Sequence, residues 1–113
     1  MRREALKRIF DAAQACDAVA SFLAGRNASD LHSDAMLRSA VERQFEILGE
    51  ALKQAESYEP GLAETIPDLR RIVGLRNRLI HGYDVVDQDL LWATAQEKLK
   101  PLGLVLRQLL SEG

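Results

Sequence analysis

The sequence predicts an all-α fold, an antiparallel up-down four-helix bundle. Three observations lead there. Apolar residues recur three and four apart in four stretches long enough to be helices. No run alternates β-branched and polar residues as a half-buried strand would. Of 113 residues, 47% are apolar but only 5% aromatic, a composition that fills the space between helices with Leu, Ile, Val and Ala. A chain of this length is expected to form a single domain, residues 1–113.

The first helix is expected over residues 3–24. Leu6, Ile9, Phe10, Ala13, Cys16, Ala20 and Leu23 make its buried stripe, and Gly25 is placed to stop it. Residues 26–32 read as a polar connection. His32 lies there beside Asp30 and Asp34, a trio without the spacing of a metal-ligand set, and Ser33 is a candidate N-cap. The second helix is expected over residues 34–57, with a wide apolar arc from Met36 and Leu37 through Ala40, Val41, Phe45, Ile47, Leu48, Ala51 and Leu52 to Ala55. Gln44 falls near the centre of that arc, so it either bonds within the core or lies beside the next long helix. Glu42, Glu46 and Glu50 form an acidic edge. A solvated face is its plain reading; the sharper one pairs Glu50 with an arginine of the next long helix. Gly49 lowers helix propensity and permits close helix contact.

Tyr58 to Gly61 breaks the chain, and residues 61–65 fit one turn. Pro67 then opens a third long helix and Gly82 closes it. After a short connection Asp87 is placed as an N-cap. The last helix, residues 88–110, carries a stripe of Leu91, Ala95, Leu99, Leu102, Leu106 and Leu109. Pro101 falls inside it and should kink or break it. Trp92 reads as a core anchor.

The chemistry gathers on the third long helix, in Val73-Gly74-Leu75-Arg76-Asn77-Arg78-Leu79-Ile80-His81-Gly82-Tyr83. With His81 at zero on a wheel of about 100° per residue, Arg70, Gly74 and Asn77 lie within about 40° of it and Arg71 and Arg78 within about 80°. This face is basic, with a glycine at its middle where a backbone or a substrate can come close. Leu69, Ile72, Leu75, Leu79 and Ile80 form the opposite, apolar arc. Arg76 breaks the pattern by falling on that arc, about 140° from His81. A buried guanidinium without a partner is very costly, so Arg76 needs a carboxylate, a path to the helix edge or a place in a subunit interface. His81 stands in the last turn, where the carbonyl end of the helix favours an imidazolium. An arginine to hold an anion and a histidine to move a proton suit phosphate chemistry. Structural roles for both, an ion pair and a C-terminal cap, are the plainer alternatives.

A net charge of −2 gives no global nucleic-acid footprint. Any RNA contact must be local, and Arg70, Arg71, Arg76 and Arg78 supply a patch. The single cysteine excludes an intrachain disulfide and a cysteine-based zinc site. No apolar run approaches the length of a membrane span and the N-terminus is charged, so a cytoplasmic protein is expected, with no membrane partner and no cofactor.

Arg76-Asn77, three residues, then His81-Gly82-Tyr83 resembles the R-x(4–6)-H motif of the HEPN superfamily, and more narrowly the RN-x3-H-x-Y form of the HepT-like toxins. Ile66-Pro67, Gly74-Leu75, Val86-Asp87 and Trp92 stand in agreeing context, and Ile47-Leu48-Gly49-Glu50-Ala51 resembles that family's I-G-E-A segment. The resemblance implies a metal-independent endoribonuclease, the toxin of a type VII-like toxin–antitoxin pair. Its RNA products would carry 2′,3′-cyclic phosphate and 5′-hydroxyl ends. Arg76 and His81 would be catalytic and Asn77 orienting, with Arg70, Arg71 and Arg78 on RNA phosphates. The resemblance further implies a homodimer with a composite active site. It also implies a minimal nucleotidyltransferase antitoxin that attaches AMP to Tyr83. The competing expectation is a non-catalytic helical module that binds RNA or a partner.

Overall fold

The computed structural model describes residues 1–81 and 87–113, and these are all-helical. The order is α1 (Arg3–Leu23), α2 (Ala28–Ser33), α3 (Ala35–Tyr58), α4 (Leu62–Thr65), α5 (Leu69–His81), α6 (Gln88–Glu97) and α7 (Leu99–Glu112). The most extensive contact is α1 on α3, followed by α3 on α5 and α1 on α7, so the principal helices pack in the order α5, α3, α1, α7. The described residues span 42 × 31 × 19 Å.

Small residues set the spacing. Ala5, Ala12, Ala13 and Ala15 are buried on α1, and Ala51 and Ala55 on α3. Larger side chains such as Ile9, Phe45, Leu48 and Leu52 fill the space between them and are essentially inaccessible to solvent. Burying one such side chain contributes about 1.5–3 kcal/mol. Cys16 is buried in this layer, as expected of a small core residue, and burial pushes its thiol up to about 12. Gly25, at φ +74°, follows the C-cap of α1 in the left-handed region that glycine adopts without strain.

Several expectations need correction. Phe10 and Ala20 are exposed rather than buried, because the burial of α1 follows its alanine face and leaves this flank outside. Lys7 instead lies over the Phe10 ring at 5.9 Å from its centroid. Met36, in the first turn of α3, is 83% exposed. Ile80 is exposed near the end of α5, whose buried residues are Leu69, Ile72 and Leu75. The connection at residues 26–32 holds a helix, α2. A reciprocal cap starts it: Asn27 Oδ1 accepts from the Asp30 N–H (3.3 Å) while Asp30 Oδ2 accepts from the Asn27 N–H (2.9 Å). Asp34, not Ser33, caps α3 by accepting from the Leu37 N–H at 3.0 Å, and that bond holds the Asp34 carboxyl below the usual range. The third long helix begins at Leu69, two residues beyond Pro67, after Asp68 at φ +60°.

The last helix divides as Pro101 requires. α6 ends at Glu97 and α7 starts at Leu99, which leaves Pro101 in the first turn of α7, where its missing N–H costs nothing. Leu91, Leu99, Leu102 and Leu106 are buried, Trp92 packs partly buried against the core, and Asp87 caps α6 by accepting from the Asp89 N–H at 2.9 Å.

Candidate functional site

The site is built where α5 crosses α3, and Gly49 makes the crossing close. A Cβ added there would sit 2.2 Å from Arg76 Cβ and 3.2 Å from the Ile72 carbonyl oxygen. Only a hydrogen fits, so the stem of Arg76 lies against the backbone of α3. The guanidinium then meets Glu50, the next residue of α3. Arg76 Nη2 forms an ion pair with Glu50 Oε2, off the line of a well-aligned hydrogen bond, and Nη1 donates to Asn77 Oδ1 at 2.7 Å. Nε–H finds no acceptor among the described residues. The Arg76 side chain is 17% exposed. The carboxylate partner demanded by its place on the apolar arc is therefore Glu50.

Gln54, one turn further along α3, donates to Glu50 Oε1 at 2.9 Å. That hydrogen bond, opposed by burial and joined by the Arg76 charge, holds the Glu50 carboxyl below its ordinary value of 4.5. A carboxyl depressed in the fold contributes stability above its ordinary value and loses it as the pH falls through the lower folded value. Glu50 is 39% exposed, so solvent screening keeps this below about 1 kcal/mol. Thermal midpoints followed from pH 6 to pH 3 should show a smaller acid-side fall in Glu50→Gln than in the native chain. Parallel curves would remove Glu50 from this role.

Arg76 and Glu50 line a groove of about 610 Å³ between α1, α3 and α5, with Gln44, Ile47 and Ile80. Gln44 is half-buried there, beside α5 rather than inside the core. Two groove cations, Arg8 and Arg43, are not singled out in the sequence, and neither is Gln54, which reaches the site through Glu50. Gln54 had a signal in its spacing of four from Glu50. The remaining acidic edge is also engaged: Glu42 accepts from Gln88 Nε2 at 2.9 Å, and Glu46 lies 3.8 Å from Arg43.

His81 is the last residue of α5 and is exposed. It lies five residues beyond Arg76, about 7.5 Å along the axis and 140° around it. Arg76 turns toward α3, so one chain does not present the two from the same face of α5. The basic face carries the other candidates. Arg70 donates two hydrogen bonds to the Glu56 carboxylate (2.8 and 3.0 Å), and Arg71 is 3.8 Å from Asp68. Arg78 is exposed without an ion pair among the described residues. Tyr83 and Gly82 lie outside the described residues. His32 forms a pair with Asp89 at 2.9 Å, and the described residues hold no group of three or more metal-ligating side chains. Among them no helix is long and apolar enough to cross a membrane.

Comparison with known proteins agrees with the motif. The family described as Ribonuclease HepT-like matches residues 12–109. A proposed RNase of Methanocaldococcus jannaschii is 31% identical over 98 residues, 85% of this chain and 87% of that protein. A probable ribonuclease HepT of Thermococcus cleftensis is 32% identical over 102 residues, 90% of this chain and 92% of that one. A proposed RNase of Caldanaerobacter subterraneus is 27% identical over 99 residues, 88% of each. No solved structure matches the chain.

Proposed function

Because the chain belongs to the HepT-like ribonuclease family, we propose that it is a metal-independent endoribonuclease acting from the Arg76-Asn77-x3-His81 segment of α5. The observation that carries the reading is Arg76, a guanidinium held at the α3–α5 crossing by Glu50 and Asn77 yet lining an open groove. A guanidinium fixed in advance loses little freedom when it meets charge developing on a phosphate.

The reaction is a transesterification. The RNA 2′-oxygen attacks the adjacent phosphorus and gives up its proton, and the bond to the 5′-oxygen breaks as that oxygen gains one. A 2′,3′-cyclic phosphate and a 5′-hydroxyl result. His81 moves the protons, Arg76 stabilises the charged phosphorane-like transition state, and Asn77 keeps Arg76 in place. Arg70, Arg71 and Arg78 contact flanking phosphates.

The separation of Arg76 and His81 around α5 favours a homodimer in which the groove of one chain faces His81 of the other. Such a dimer holds two composite sites, each made of the Arg76 of one chain and the His81 of the other. Mixing Arg76→Ala and His81→Ala subunits tests this: each variant alone is inactive, and the mixture regains a fraction of native cleavage through one intact composite site. A mixture as inactive as its parts would sink the composite site.

As a toxin of a type VII-like pair, the enzyme would be silenced by a minimal nucleotidyltransferase antitoxin that adenylylates Tyr83, two residues past His81. The adduct would place bulk and negative charge beside the RNA site. Incubation with that partner and ATP should add an adenylyl group to Tyr83 by mass spectrometry and stop cleavage, with neither effect in Tyr83→Phe. One observation favours the rival reading of a non-catalytic module: Glu50 already neutralises Arg76. In that case Arg76→Ala lowers stability and there is no cleavage to lose.

A further inference from the structure

The outer face of α5 holds a feature that the ion pair does not explain. Gly74 is exposed at mid-helix, and a Cβ built there meets nothing within 4 Å among the described residues. Gly49 is required by the α3 crossing; nothing among the described residues requires Gly74. Glycine in an exposed helix interior weakens the helix, so this position bears a cost that no contact among the described residues offsets.

Its surroundings indicate what comes close. Arg70 and Gly74 lie one turn apart, Arg78 a further turn on, and Arg71 flanks them, so the cations straddle the glycine over about 12 Å of helix. Glu56 engages Arg70, while Asp68 is shared at 3.8 Å between Arg71 and Lys98. Among the described residues, four cations (Arg70, Arg71, Arg78 and Lys98) against the carboxylates of Glu56 and Asp68 leave this patch positive in a chain of net charge −2. Asn77 is half-buried beside it and His81 closes the same stripe.

We propose that a single RNA strand crosses α5 at Gly74, its sugar–phosphate backbone seated against the helix backbone between Arg70 and Arg71 on one side and Arg78 on the other. The missing side chain admits the strand, and the stripe leads it toward His81. This rests on the ribonuclease reading above and adds the path by which substrate reaches the site.

Gly74→Ala and Gly74→Gln test it, with a fluorescent 2′-O-methyl oligoribonucleotide that binds but cannot be cut. Either side chain fits the free protein, so the thermal midpoint of Gly74→Ala should rise by about 4 °C. RNA binding should move the other way: Kd rises a few-fold in Gly74→Ala and about tenfold in Gly74→Gln, a loss of about 1.4 kcal/mol. Arg78→Gln should flatten the slope of log K against log salt by about 0.7.

A more stable Gly74→Gln protein that binds the oligonucleotide as the native chain does would overturn the proposal. So would a native chain that does not bind it. Loss of the dimer in Gly74→Gln by sedimentation, with RNA binding lost only in step, would overturn it in favour of a chain–chain contact. Native cleavage of unmodified RNA is scored separately, so the crossing can fail while the ribonuclease reading stands.

Discussion

Gly49→Ala is expected to destabilise the fold by about 2–3 kcal/mol, although alanine is the better helix former by about 1 kcal/mol. The added methyl would lie 2.2 Å from Arg76 Cβ and 2.8 Å from Cγ. Cβ is fixed by the backbone and cannot swing away as Cγ can, so α3 and α5 must separate. Separation loosens Leu48 and Leu52 on one helix and Leu69 and Ile72 on the other, all buried. It also pulls Arg76 from Glu50, so cleavage should fall with stability. Urea unfolding of the two proteins measures the first effect and RNA cleavage the second. An equally or more stable Gly49→Ala protein would mean that the two helices do not cross as described.

His81→Ala should behave in the opposite way. His81 is exposed at the end of α5, so its removal should change stability by less than about 1 kcal/mol. Cleavage should fall by about 10²–10⁴-fold, the usual contribution of a positioned acid–base group. Arg76→Ala lies between these cases: it removes a stabiliser of the transition state and leaves Glu50 without its counter-charge. The contrast between a stable, inactive His81→Ala and a weakened, inactive Arg76→Ala separates proton transfer from scaffold. A His81→Ala protein that cuts RNA at the native rate would remove the histidine from the chemistry.

The residues differ in how far they were legible beforehand, and the reasons are physical. Arg76 was readable because burying an unpaired guanidinium is prohibitive; a partner had to exist, and Glu50 stood on the acidic edge of the neighbouring long helix. The break near Pro101 was readable because its ring cannot continue the helix that precedes it. The short helix α2 was not. Six residues give no periodicity, and its one signal was the Asn27–Asp30 cap, whose residue types also suit a loop. Phe10 falls in the expected buried stripe of the first helix and Met36 and Ile80 on apolar arcs because the pattern gives the side of a helix that is apolar. It does not give how far a neighbour extends along it, and these three lie on a flank, in a first turn and near a last turn. The groove was invisible in sequence because Arg8, Arg43 and Arg76 come from three helices.

The most direct measurement is the chemistry of the cut ends, obtained with purified native chain and a defined RNA oligonucleotide in excess EDTA. Products ending in a 2′,3′-cyclic phosphate and a 5′-hydroxyl, absent with His81→Ala, are the expected result, since only attack by the neighbouring 2′-oxygen forms them. Cleavage that stops in EDTA, or that leaves a 3′-hydroxyl and a 5′-phosphate, would contradict it, because water or a metal-bound hydroxide would then be the nucleophile in place of the RNA itself.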